Sequence, residues 1–318
     1  MKNKLLKMII KRIVQSIIVV FVVTLMVFLL MQLVPGDPIA NFLGANATQE
    51  QIEHYTKIFG YDQPVLIQYA KWIQGLFHGE MGRSVALQKE ISEVIFQRLG
   101  VTMSIVFPAF ILAVVLAIIL GIVAALNRGT IIDSAISFFA NIGMSMPMFW
   151  FGMILILTFG LKLGILPTSG YVAPKDGIGN WLLHLILPMT VLAMGPLAQF
   201  TRQTRSSMLE VIRQDYVTTA RAKGLKQKTI IFRHQLRNAL IPIITIMGVQ
   251  LGGMIGGTVL VESIFVVPGL GSLMISSIQG KDFMVVENGV FIIAVAVAVC
   301  NLIVDILYGI IDPRIRND

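Results

Sequence analysis

The dominant pattern along the chain is a succession of long apolar runs separated by shorter polar stretches. Six runs stand out: Ile13 to Val34, Val101 to Leu126, Ser134 to Leu161, Trp181 to Gln199, Ala239 to Val261 and Val290 to Ile311. A helix of about 20 residues, rising 1.5 Å per residue, crosses a hydrocarbon layer about 30 Å thick. Each run is therefore expected to be a spanning helix, because in lipid a lone segment must satisfy its own backbone N–H and C=O groups. Pro108, Pro147, Pro188 and Pro196 fall inside these runs. Neighbouring helices in a bundle can satisfy the carbonyls that such prolines free.

The segment from Pro35 to Gly100 carries helical patterning of its own and reads as a small cap. Thr48 with Gln51 has the spacing of a capping box, and Gly60 suits a helix terminator. Pro64 can open a second helix bearing Ile67, Ala70, Ile73 and Leu76. A third has Ile91, Val94, Ile95 and Leu99 on one face and leads into the second span. Two roles fit this cap: a lid on the bundle's own outer surface, or a docking surface for an external partner.

Composition agrees with the pattern. The 318 residues are 56% hydrophobic and 13% charged, with a mean hydropathy of +0.81, against about 25% charged in soluble domains. The first run follows a basic segment, MKNKLLKMIIKR, and Ala45-Asn46-Ala47 resembles a cleavage site. Its apolar core is longer than a secretory signal needs, so it is expected to stay as an anchor. The single cysteine, Cys300, excludes an intrachain disulfide framework.

The net charge of +8 is better explained by membrane topology than by nucleic acid. Lys2, Lys4, Lys7, Lys11 and Arg12 precede the first span, which places the N-terminus in the cytoplasm by the positive-inside rule. Six crossings then place the C-terminus there too. The segment Arg202 to Arg237 agrees, with nine basic residues against Glu210 and Asp215.

Much chemistry is missing. Gly280-Lys281-Asp282 lacks the spacing and hydroxyl of a phosphate-binding loop, and there is no H-E-x-x-H or G-x-S-x-G. His54, His78, His184 and His234 are scattered, so no metal site is expected. Among polar groups at membrane level, Asp305 lies near the cytoplasmic end of the sixth span and reads first as an interfacial carboxylate or a partner to an arginine. Glu262 reads as an edge residue of the fifth span. Trp150, Gln250 and Asp305 are the candidates for a translocation path, with packing as the competing role for each. Gly248, Gly252 and Gly256 recur every four residues, which suits close helix packing within the chain or against a second membrane subunit.

The stretch from Asp215 to Gly224 reads as a short helix ended by a left-handed glycine. Tyr216, Ala220 and Gly224 then share a shallow face suited to another protein's groove, while Arg221, Lys223, Lys226 and Lys228 can meet anionic lipid or an acidic rim. Ile230 to Leu240 reads as a second helix returning the chain to the bilayer at Pro242.

The string DYVTTARAKGL, His234 and LRNALIP at Leu236 to Pro242 together resemble the cytoplasmic loop of ABC-importer permeases of the dipeptide, oligopeptide and nickel branch. The resemblance extends to Val34-Pro35-Gly36-Asp37-Pro38, Leu166-Pro167-Thr168-Ser169-Gly170-Tyr171, Arg202, Arg205 and Met208-Leu209-Glu210. It continues through Glu262, Phe265, Pro268-Gly269-Leu270-Gly271 and Asp312-Pro313-Arg314. Thr218 stands where permeases in general carry an acidic residue, and Leu99-Gly100 replaces a common Leu-Pro step.

The resemblance implies an all-α membrane protein of six transmembrane helices, with a helical extracytoplasmic loop between helices 1 and 2 and a cytoplasmic coupling-helix loop between helices 4 and 5. Residues 1–318 then form one permease domain, with a cap at 35–100, a core bundle at 101–311 and a coupling loop at 202–238. Implied coupling residues are Asp215, Tyr216, Thr219, Ala220, Ala222 and Gly224. Implied partners are a second homologous permease subunit, two cytoplasmic ATPase subunits that use ATP and magnesium, an extracytoplasmic substrate-binding protein and membrane lipid. Under this resemblance the chain is a bacterial cell-membrane transporter subunit for peptides, without an ATPase site or cofactor of its own. A nickel or metal-chelate permease, an autonomous secondary carrier and a membrane scaffold are the alternatives.

Overall fold

The computed structural model describes residues 2–34, 39, 43, 47–84 and 86–311, leaving aside the side chains of 2–6, 8, 59 and 307–311. Of the segments singled out above, Pro35 to Pro38, Ala45-Asn46 and Asp312-Pro313-Arg314 lie outside these residues.

The described residues are helical apart from turns and one isolated bridge between Arg83 and Glu90. The main helices are α1 (Lys2–Gln32), α2 (Gln49–Phe59), α3 (Val65–Phe77), α4 (Ile91–Leu126), α5 (Ile131–Ser145), α6 (Met148–Leu155), α7 (Ile178–Ile212), α8 (Asp215–Ala222), α9 (Leu236–Ile264), α10 (Leu270–Gln279) and α11 (Phe283–Ile311). Among the described residues, five stretches are long and apolar enough to cross a membrane, and α5 with the stretch Met148–Lys162 makes a sixth if that bent pair is one span.

The third run is thus not the continuous helix expected. It bends by 108° between Ser145 and Met148. Met146 is extended, with φ −76° and ψ 125°, the conformation that a following proline favours by crowding the residue before it. Pro147 then caps α6, where its missing N–H costs nothing. Pro108, Pro188, Pro196 and Pro242 stay inside α4, α7 and α9 without ending them. The other spans also run further than their apolar cores. The third cap helix and the second span are one element, α4, because Gly100 does not interrupt it. Arg202 and Arg205 lie on α7, and the helical run from Gln227 to Ile264 passes Pro242 unbroken.

The chain groups into two compact units. In the first (1–12, 103–267 and 299–318), α4, α5, α6, α7 and α9 pack closely. A Cβ on Gly121 would lie 2.4 Å from Thr204 Cβ, and one on Gly248 would lie 2.4 Å from Val304 Cγ1. Only glycine permits either approach. Asp133 at the start of α5 is buried and accepts Arg205 Nε at 2.5 Å and a second guanidinium nitrogen at 2.8 Å, with the Gly129 N–H at 3.0 Å. At the other end of the bent pair, the Gly170 N–H donates to the Phe265 carbonyl, just beyond α9, at 2.8 Å. The pair therefore enters beside the last turns of α7 and leaves beside the end of α9. Arg12 of α1 meets Asp305 of α11 at 3.3 Å.

In the second unit (13–102 and 268–298), Ile91, Val94 and Ile95 of α4 pack with Leu270, Leu273 and Met274 of α10 and with Val285 and Ile292 of α11. The face expected for the third cap helix is the one that is buried. The capping box of Thr48 and Gln51 and the left-handed Gly60 are also present. On α3 the buried face differs from expectation: Tyr69 and Trp72 turn inward, while Ile67 and Ala70 are exposed. Aromatic rings bury more area than the aliphatic set, and their polar tips find partners.

Removing one member of a buried ion pair strands the other. Asp133→Ala is expected to destabilise the protein by about 3 kcal/mol. Asp133→Leu combined with Arg205→Leu is expected to recover most of that loss in thermal denaturation of the detergent-solubilised protein.

Candidate functional site

The stretch between α7 and α9 forms a knuckle built around α8. Gln214 starts α8 from an extended conformation, Asp215 sits in its first turn and Arg221 in its last, each matching the sign of the helix dipole. The helix ends through Gly224 at φ +73°. The Gly224 N–H donates to Arg221 O at 2.9 Å and the Leu225 N–H to Ala220 O at 3.3 Å, the paired bonds of a left-handed helix stop.

One face of α8 is turned into the chain's own packing. Val217 and Ala220, the latter 5% exposed, close on Ile230 and Val211. Ala220 is therefore not part of an outward face with Tyr216 and Gly224, as the spacing alone had indicated. The exposed side consists of Asp215, Thr218, Thr219 and Ala222, which are small and leave the helix backbone accessible. Tyr216 is half-exposed, and its hydroxyl accepts from Asn238 Nδ2 at 2.8 Å. Asn238 also donates to His234 O at 3.1 Å. This clamp ties α8 to the first turn of α9.

Beneath the knuckle, Ala125 of α4, Met208 of α7 and Ala239 of α9 meet Ile231 in one apolar cluster. Three long helices thus converge where α8 is mounted. The expected second helix from Ile230 to Leu240 is instead a turn at Gln227–Thr229, a π-helical turn at Ile230–Gln235 and the start of α9. Gln235 ends the π turn, is fully buried, and neither its Oε1 nor its Nε2 has a hydrogen-bond partner among the described residues. Sequence reasoning passed over this residue, although a glutamine between Ile231 and Ala239 on a buried helical face is a detectable oddity.

The membrane-level candidates lie on three helices, α6, α9 and α11. Gln250 on α9 donates to Gln199 Oε1 on α7, a cross-helix pair of which the sequence offered only one member. Trp150 is half-exposed on α6. Asp305 is held by Arg12, the role of partner to an arginine considered for it. Gly248 and Gly252 are buried within the chain, whereas Gly256 is exposed with nothing within 4 Å of a Cβ. Glu262, expected at an edge, is fully buried.

Residues 117–317 match the binding-protein-dependent transport system inner membrane component family, and residues 5–106 match the N-terminal region of such membrane components. The chain belongs to this family. Over 98% of its length this inner membrane component is 40% identical to a putative peptide transport system permease protein of Brucella abortus, covering 99% of that protein. It is 41% identical to the oligopeptide transport system permease protein AppB of Bacillus subtilis, over 91% of this chain and 92% of that one. With the dipeptide transport system permease protein DppB of Escherichia coli the identity is 36%, over 98% and 99%. Among solved structures, an inward-facing form of the MetNI methionine ABC transporter covers 70% of this chain and 97% of its own, with a TM-score of 0.57 and 18% identity. The fold is that of ABC transporter membrane subunits.

In this inner membrane component, replacing a buried unsatisfied amide by an apolar group of similar size is expected to stabilise by about 1–3 kcal/mol. Gln235→Leu should therefore raise the thermal unfolding midpoint, and Gln235→Glu should lower it. A lower midpoint for the leucine variant would show that the amide is satisfied after all.

Proposed function

We propose that the chain is the membrane-spanning subunit of an ATP-driven importer of peptides, passing substrate from an extracytoplasmic binding protein to the cytoplasm by alternating access. Family membership supports the class, and the three relatives named for peptide, oligopeptide and dipeptide transport support the substrate over a metal chelate. The chain binds no nucleotide of its own. ATP and magnesium belong to two cytoplasmic ATPase subunits, and a second homologous permease completes the membrane part.

The observation that carries the mechanism is the mounting of α8. Its inner face packs on Ile230 and on Val211 of α7, beside the cluster in which α4, α7 and α9 meet Ile231, while Asp215, Thr218, Thr219 and Ala222 remain open. An ATPase groove closing on that open face moves α8, and α8 moves the ends of three spans together. Rocking of packed helices about a central site is one form of alternating access.

Orientation follows from charge and from the placement of the bent pair. The basic segment before α1 and the cations around α8 favour the cytoplasmic side. The Arg12–Asp305 contact favours both chain ends on one side. Counted as a broken crossing, α5 and α6 bring the total to six, the even number that such an arrangement needs.

Thr219→Trp is expected to abolish ATP-driven peptide uptake by the reconstituted complex without changing the thermal midpoint of the chain, because its site is open. Ala220→Arg is expected to lower that midpoint first, since it forces a cation into the Val217–Ile230 contact. Peptide uptake by the chain alone under an ion gradient would sink the proposal.

A further inference from the structure

The helix α3 belongs to the cap, and nothing in the transport reading assigns it a surface. Its inward side chains reach deep along two spans. The Tyr69 hydroxyl lies 3.0 Å from Thr24 Oγ1 and donates to the Phe21 carbonyl at 3.3 Å, with its ring edge-on to Phe21 and Phe28. Trp72 stacks on Phe28, meets Phe291 edge-on and donates through Nε1 to Asn288 Oδ1 at 3.3 Å.

These contacts fix a depth. The apolar stretches end at Gln32 on α1 and begin at Phe283 on α11. Thr24 is eight residues inside the first boundary and Phe291 eight inside the second, each about 12 Å along its helix. That is a large fraction of one leaflet of a hydrocarbon core about 30 Å thick. A helix whose tyrosine and tryptophan reach this far cannot stand clear of the membrane as a solvated lid.

The remaining surface of α3 fits such a position. Leu66 is 70% exposed and Phe77 86%, and Ala70 is exposed with them. At 100° per residue these three share one flank, next to the buried Tyr69 face. Lys71 and Gln74 are exposed on the other side. Between Thr24 and the boundary at Gln32, α1 exposes Met26, Leu29 and Leu30.

We propose that α3 is an interfacial membrane helix, lying in the leaflet opposite the chain's N-terminus with Leu66 and Phe77 among acyl chains and Lys71 toward headgroups and water. A helix with one apolar flank and one cationic edge lies in the plane of the interface in this way. Lipid is the occupant because the flank continues the depth set by the Tyr69 and Trp72 contacts.

The test places a nitroxide at Leu66→Cys, Phe77→Cys and Lys71→Cys in turn, in a Cys300→Ser background, with the full chain and its co-purifying subunits in lipid nanodiscs. Collision with oxygen is expected to exceed collision with a water-soluble nickel chelate several-fold at 66 and 77, with the order reversed at 71. Dominance of the nickel chelate at 66 and 77 would place the flank in water and overturn the proposal. Low accessibility to both would show that a protein covers the flank, and would overturn it equally. All three positions are exposed, so their substitution leaves the packing of α3 intact, and the Tyr69 contacts need not be disturbed.

Discussion

A chain immersed in lipid has no solvent to receive its backbone hydrogen bonds, and this constraint shapes the rest of the structure. It makes helices the only free-standing spans, and it makes each interruption expensive unless another part of the protein covers it. The interruptions here are few and specific. The bend at Met146–Pro147 satisfies the Met146 N–H through Ile142 O. The π turns at Ile156–Lys162 and Ile230–Gln235 keep their bonds by widening rather than breaking. Elsewhere the helices simply continue past their apolar cores, as α1, α4 and α7 do.

Polar side chains in such an interior divide by what holds them. Asp133 is fixed by a two-pronged arginine and a backbone N–H, which makes it a strut between α5 and α7. Gln199 and Gln250 satisfy each other between α7 and α9, a bond type that contributes modestly in membranes. Arg12 and Asp305 pair at 3.3 Å and are only partly enclosed by the chain. Gln235 differs from all of these because its amide is buried without a partner among the described residues. A group that gains by moving is poorly placed to stabilise one rigid arrangement, and it lies in the π turn between α8 and α9. That makes this turn the part of the knuckle with the weakest hold on its present geometry.

The spans were legible because an apolar run of sufficient length has few other uses. The stops at Gly60 and Gly224 and the Thr48–Gln51 box were legible because a left-handed residue or a reciprocal side-chain bond requires particular residue types. The 108° bend was not, since Pro147 looks in sequence like Pro108 or Pro196, and only the extended conformation of Met146 separates it from them. The continuity of α4 through Gly100 and of the run through Pro242 was hidden for the same reason, because neither residue type by itself decides whether a helix continues. The open face of α8 was misplaced because alanine suits a buried contact as well as a docking groove. What decides between them is Ile230, which lies beyond the left-handed turn and packs back on Val217 and Ala220. On α3 the aliphatic spacing competed with two aromatics, and burial of the aromatics set the rotation.

The knuckle is held by a small set of contacts. Val217, Ala220 and Ile230 are buried against one another, and one hydrogen bond from Asn238 to Tyr216 adds about 1 kcal/mol. Two of its attachments land on one helical run, Ile230 in the π turn and Asn238 in the first turn of α9, while Val211 of α7 packs against the same contact. The helical run from Gln227 to Ile264 spans 38 residues, about 57 Å at 1.5 Å per residue. A small displacement at its Gln227 end becomes a tilt along its whole length, including Gln250 and the Gly248–Val304 contact. The direction of such a tilt is therefore set by α9 and its close packing, while α8 contributes an open, shallow surface.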